Sequence, residues 1–166
     1  MAAVARRAGL VRATVYVHFP TREGLIGAVT ERAIGEASKL IRAAAPDVGE
    51  PPEALARVLT TAWRTLGDYH ALVTINSRLE PERLRALHEP VLGRIRPILE
   101  RGQADGAFNP DVPVEWLLTV VLELVHAASR ELSAGRLPED VAERALLDSV
   151  AGALAPAAAA KAAGRA

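Results

Sequence analysis

The sequence predicts an all-α protein: a short N-terminal helix-turn-helix head, joined by a long helix to a larger helical body. Three observations predict it. Apolar residues recur at spacings of three and four through successive segments, and no run alternates as a strand would. Pro46, Pro51, Pro81, Pro90, Pro113 and Pro138 punctuate those segments. Half of the 166 residues are hydrophobic, yet Trp, Tyr and Phe occur only twice each, so Ala, Leu and Val must pack the interior.

The head comes first. Ala2 to Ala8 is compact and helix-forming, with Val4, Ala5 and Ala8 making a small apolar face. Gly9 follows, the residue that adopts the left-handed, helix-ending conformation most cheaply. After the turn Gly9-Leu10-Val11, a second segment runs from Arg12 to His18, and two helices this short joined at a glycine form a helix-turn-helix. Ala5 is small enough to let the helices cross closely, while Leu10 and Val15 fill the angle between them. Thr21 is placed to cap a third helix, with Glu23 in its first turn. That helix runs from Arg22 to about Ala45, with Leu25, Ile26, Val29, Ala33, Ala37, Leu40 and Ile41 on one face.

The body follows a Pro-rich linker. A helix from near Pro52 to about His70 keeps Leu55, Val58, Leu59, Ala62, Leu66 and Tyr69 at helical spacing, with Trp63 at the border. Residues 71–80 read as another helix. Pro90 then separates a helix over Pro81 to Glu89 from one reaching about Asp105, where Pro97 predicts a kink and Gly106 the stop. Asp111 and Pro113 start a long apolar helix through about Ser133. Its polar residues Glu115, Thr119, Glu123, His126, Arg130 and Ser133 fall in one narrow stripe, so the rest must be covered on more than one side, and a partner subunit is the natural supplier. Pro138 opens the last helix, to about Leu154, with Val141, Ala145, Leu146, Val150 and Leu154 toward one side.

Residues 1–22 hold Arg6, Arg7, Arg12 and Arg22 and no acid, in a chain whose 20 basic and 20 acidic residues cancel. Neutralising DNA phosphates takes such a local patch rather than a basic protein overall. In a helix-turn-helix the second helix enters the major groove and reads bases near its N-terminus. The stretch VARRAGLVRATVYVHFPTREGLIGAV resembles the DNA-binding signature of the tetracycline-repressor (TetR) family of bacterial regulators. The match runs through Val4-Ala5, Ala8-Gly9, Thr14-Val15-Tyr16, His18-Phe19-Pro20, Arg22-Glu23 and Leu25. The resemblance implies that Arg12, Ala13 and Thr14 read bases, that Tyr16 and His18 contact phosphates, and that Arg22 clamps a phosphate at the start of the third helix. Chemistry agrees: a helix N-terminus beside a cation attracts an anion, and Arg suits guanine as the Thr methyl suits thymine. The family also implies an effector pocket in the larger domain and a homodimer on a palindromic operator, paired through 113–133 and 138–154 as a four-helix bundle.

Two departures from the family pattern carry expectations of their own. Val11 stands where the pattern has Ser or Thr, so the second helix lacks a side-chain N-cap, which costs about 1 kcal/mol. A long first helix precedes the motif in the family, and this sequence begins at Met1, where that helix is expected to have ended already, so Val4, Ala8, Val15 and Phe19 are expected to lose apolar cover. The division that follows is a head and connecting helix over 1–45, a ligand-binding and dimerisation domain over 46–156, and a low-complexity tail over 157–166. The function expected is a ligand-responsive repressor. The alternative is a helical ligand-binding or dimerisation protein that has lost DNA binding.

Enzyme readings lack parts. There is no cysteine, the four histidines (His18, His70, His88 and His126) show no paired ligand spacing, and no Gly-rich phosphate loop follows a strand. No metal and no cofactor is expected. An apolar cavity with a few inward polar groups suits a helical domain better, and Trp63, Tyr69, Asn76, His88, Glu123 and His126 are its candidate lining. Charge interrupts every apolar run well before a membrane span's length, and no signal peptide opens the chain, so a cytoplasmic protein is expected.

Overall fold

The computed structural model describes residues 1–66 and 80–156, together with Leu72 and Ile75. Among the described residues all regular structure is helical: α1 (Ala2–Arg7), α2 (Arg12–His18), α3 (Arg22–Ala43), α4 (Pro51–Leu66), α5 (Pro81–Ala104), α6 (Val114–Ser133) and α7 (Glu139–Leu154). None of them is long and apolar enough to cross a membrane. The helix expected over 71–80 falls outside the described residues apart from Leu72 and Ile75, both helical, and Glu80, which precedes α5 as its N-cap.

The head is built by its caps. Gly9 sits at φ 66°. Its amide donates to Arg6 O at 3.2 Å and the Leu10 amide donates to Ala5 O at 2.9 Å, so the last carbonyls of α1 are satisfied across the turn. α1 and α2 close on Ala5 and Val15, 3% and 5% exposed. Leu10, expected in that angle, is instead 49% exposed. Val4 and Ala8 are exposed as expected, whereas Val15 keeps its cover and Phe19 is half-buried. α2 starts at Val11 with no side-chain cap. α3 has one: the Gly24 amide donates to Thr21 Oγ1 at 3.0 Å.

The core is a single cluster contributed by α3 to α7, with Ile41, Val58, Trp63, Leu92, Leu118 and Val150 among its fully buried members. Two arginines hold the α3–α4 linker to it. Arg57 donates to the carbonyls of Ala44, Ala45 and Val48, and Arg101 donates to those of Pro46 and Asp47. Ala45, at φ 51°, takes the left-handed turn that this clamp encloses. Leu40 leaves the apolar face expected for α3, at 49% exposed, and Ser38 is buried there instead.

The break expected at Pro90 does not occur. α5 runs unbroken from Pro81 to Ala104 with Pro90 and Pro97 inside it. A proline removes one amide and crowds the carbonyl four residues earlier. Here those residues are Ala86 and Gly93, both exposed, as are the two prolines, so both sites lie on the surface of the helix, where a freed carbonyl costs least.

The polar stripe of α6 is only partly a solvent face: Glu115, Glu123 and Ser133 are exposed, while Thr119 and Arg130 are half-buried. Glu115 accepts from both Arg85 and Arg96 of α5, and Arg85 donates again to Thr119 Oγ1 at 3.3 Å. His126, on the same stripe, is 2% exposed. The side left open carries Trp116, 60% exposed, with Val120, Leu124 and Ala127 half-buried near it.

Candidate nucleic-acid interface and effector cavity

Arg12, Ala13, Tyr16, His18 and Arg22 are all exposed and Thr14 is half-buried, as base and phosphate contacts require. Arg12 does not hang free in solvent. Its Nη2 donates to the Tyr16 hydroxyl at 3.2 Å, and its guanidinium lies 5.2 Å from the Tyr16 ring centroid. One helical turn thus fixes the cation expected to read a base against the ring expected to touch a phosphate. Arg22 is the first residue of α3, directly after the Thr21 cap, where helix dipole and guanidinium add.

A cavity of about 70 Å³ lies between α3, α4, α5 and α6. Its α3 wall is Ala33, Ile34 and Ala37, and Leu59 and Leu92 lie opposite. Of the candidate lining, His88 and His126 are there, with ring centroids 5.1 Å apart and planes at 67°. Trp63 is core, 1% exposed, and does not reach the cavity; Glu123 is exposed beside it. Tyr69 and Asn76 lie outside the described residues.

Burial disfavours the charged form of both rings. It lowers His88, against the smaller opposing pulls of the hydrogen bond to Leu84 and of Glu123. It lowers His126 to about 4, with His88 and Arg130 pushing the same way. The cavity therefore holds two neutral imidazoles. His88 Nδ1 lies 2.8 Å from Leu84 O, which only accepts, so Nδ1 carries the proton and Nε2 is a bare acceptor. Among the described residues no hydrogen bond ends on the His126 ring, and no cluster has the three donors a metal would need.

Residues 51–149 match the family model of the tetracyclin repressor-like C-terminal domain, and residues 1–29 match that of bacterial regulatory proteins of the tetR family. The chain belongs to the TetR family of bacterial transcriptional regulators. Among curated relatives, this TetR regulator is similar to the HTH-type transcriptional repressor NicS of Pseudomonas putida, 25% identical over 141 residues, covering 78% of this chain and 66% of that one. Solved structures share its fold. A tetR-family regulatory protein from Rhodococcus RHA1 has a TM-score of 0.72 at 19% identity, over 92% of this chain and 84% of that one. LfrR from Mycobacterium smegmatis, in complex with proflavine, has 0.68 at 24%, over 89% and 81%. PfmR from Thermus thermophilus has 0.67 at 24%, over 90% and 84%. Since the matched N-terminal model spans residues 1–29 and α2 forms, a helical ligand-binding or dimerisation protein that has lost DNA binding is the less favoured reading of this TetR regulator.

Three features of the TetR regulator escaped sequence reasoning. Ser38 joins α3 to α5, the α3 wall of the cavity is alanine-lined, and Arg85 and Arg96 share Glu115. A buried serine within an apolar face was the one visible signal. The other two arise only when helices distant in sequence meet.

Proposed function

We propose that this chain is a ligand-responsive transcriptional repressor, which binds a palindromic operator as a homodimer and leaves it when a small molecule enters the cavity. Residues 1–45 form the DNA-binding head with its connecting helix and 46–156 the ligand-binding and dimerisation domain. The observation that carries the reading is α3. The same helix begins at Arg22, on the DNA side, and lines the cavity with Ala33, Ile34 and Ala37. An occupant that displaces that wall tilts the helix and changes the separation of the two heads, which must stay about 34 Å apart to meet successive major grooves. A ligand shifts that equilibrium only by its differential affinity for the two arrangements.

Dimerisation is read from the open side of α6. Trp116, Val120, Leu124 and Ala127 there, with exposed Ala145, Ser149 and Gly152 on α7, give a surface suited to a copy of itself in a four-helix bundle. Selection from random duplexes with the purified chain tests the reading. An enriched inverted repeat with half-sites about one helical turn apart is expected; enrichment of unsymmetrical or unrelated sequences would overturn it.

A further inference from the structure

We infer that the cavity takes a compact, mostly apolar molecule carrying a single uncharged hydroxyl, which bridges His88 and His126. The inference rests on reading the cavity as the effector site and names the chemistry of what fills it.

Among the described residues every other side chain lining the cavity is apolar, and the two imidazoles adjoin within it. A hydrogen-bond inventory then selects the polar group. His88 spends its one proton on Leu84 O and presents Nε2 as an acceptor. His126, almost wholly buried, holds one N–H and one bare nitrogen with no partner among the described residues. A hydroxyl is the smallest group that donates to the first ring and accepts from the second. A hydrocarbon would leave His88 Nε2 and the His126 nitrogens unpaired in an apolar space, which costs affinity. A carboxylate would find no cation among the described lining residues and would bring its charge past Glu123.

Size narrows the choice. The 70 Å³ present is about half of the roughly 150 Å³ that accommodates benzene in an engineered cavity. A single ring must therefore push a wall outward. The wall formed by Ala33 and Ala37 belongs to α3, so the molecule that fits best also moves the helix carrying Arg22.

Phenol, toluene and benzoate are the probes, titrated calorimetrically into the full chain at pH 7.5. Phenol is expected to bind about tenfold more tightly than toluene. His126→Phe keeps a ring in place and is expected to abolish that advantage. Because this variant alters a buried site, a second readout uses the unsubstituted protein: the ¹⁵N shift of His88 Nε2 is expected to move on adding phenol and to stay on adding toluene. Toluene equal to phenol overturns the inference. So does benzoate binding tightest with proton uptake, and so does binding by none of the three. Phenol bound as described, with operator affinity unchanged, upholds the ligand class and overturns the regulatory reading of the cavity.

Discussion

Ser38 Oγ donates to the Pro90 carbonyl at 2.9 Å, tying α3 to α5 across 52 residues of sequence. The same hydroxyl accepts from Arg94 Nε at 3.0 Å. A proline inside a helix makes the chain around it poorly braced. Here the brace comes from the helix that leads to the head. Ser38→Ala leaves Arg94 Nε without this acceptor and severs the tie, and is expected to cost about 1–2 kcal/mol. The denaturant midpoint measures this; a midpoint equal to that of the parent chain would remove Ser38 from the packing account.

The two histidines make stability depend on pH. Both are held neutral when folded, His126 with its pKa lowered to about 4, whereas in the unfolded chain each returns to the ordinary value of 6.5. Between pH 6.5 and 4 the unfolded chain binds protons that the folded chain refuses, so stability falls as pH falls through that window and is fully present above it. For His126 alone the loss approaches about 3 kcal/mol. Arg130 and His88 face His126 and deepen the effect, while Glu123 opposes it at His88. Urea midpoints from pH 7.5 to 4.5 are expected to decline, and His126→Phe to flatten the decline. Equal slopes for the two proteins would exclude His126 as a source.

Two glycines on helices should respond to alanine with opposite signs. A Cβ on Gly102 would run into the Phe108 ring, whose backbone amide also donates to Gly102 O at 2.9 Å. Gly102→Ala is expected to destabilise by about 1–3 kcal/mol. A Cβ on Gly35 meets nothing within 4 Å, so Gly35→Ala is expected to stabilise by up to about 1 kcal/mol. Thermal melts of the two variants decide it, and shifts in the same direction would contradict this view of the packing.

On DNA, Arg22→Ala should weaken binding to operator and random duplex alike and lower the salt slope by about 1, because a phosphate contact carries no sequence information. Arg12→Ala should cost about 1–3 kcal/mol on the operator and much less on random DNA. Tyr16→Phe removes the hydroxyl that holds Arg12 and should reproduce part of that selective loss. Fluorescence anisotropy at several salt concentrations separates the two behaviours. Equal losses on both DNAs for Arg12→Ala would deny it a base.

Chain-local signals gave the caps and boundaries. Gly9, Thr21 and Pro138 act within a few residues of themselves, so the turn after α1, the start of α3 and the limits of α7 could be read directly. Pro90 could not, because tolerance of a proline depends on whether the carbonyl of Ala86 faces water, a tertiary property. The α6 stripe was found, but its direction was not: periodicity places Glu115 and His126 on one side without saying that α5 occupies it. For the same reason the lining was legible at His88 and His126 and missed at Ala33 and Ala37. Alanines on an amphipathic face look alike whether they touch a neighbour or leave a space.

Two apolar residues of α6 separate the subunit core from the proposed dimer face. Val121 is 1% exposed and packs in the core of its own subunit, whereas Leu124 is half-buried on the side of α6 that also carries Trp116. Arginine at Val121 buries a charge with no counter-ion and is expected to unfold the chain. Leu124 only borders that core, so in the proposed dimer arginine there would replace no buried core side chain, and one substitution would bring two like charges to the interface. Leu124→Arg should therefore give a helical, cooperatively melting monomer, and Trp116→Ala should weaken the dimer without removing it. Sedimentation equilibrium at micromolar concentration, with circular dichroism on the same samples, tests both. If the parent chain sediments as a monomer, or Leu124→Arg stays dimeric, α6 is not the interface.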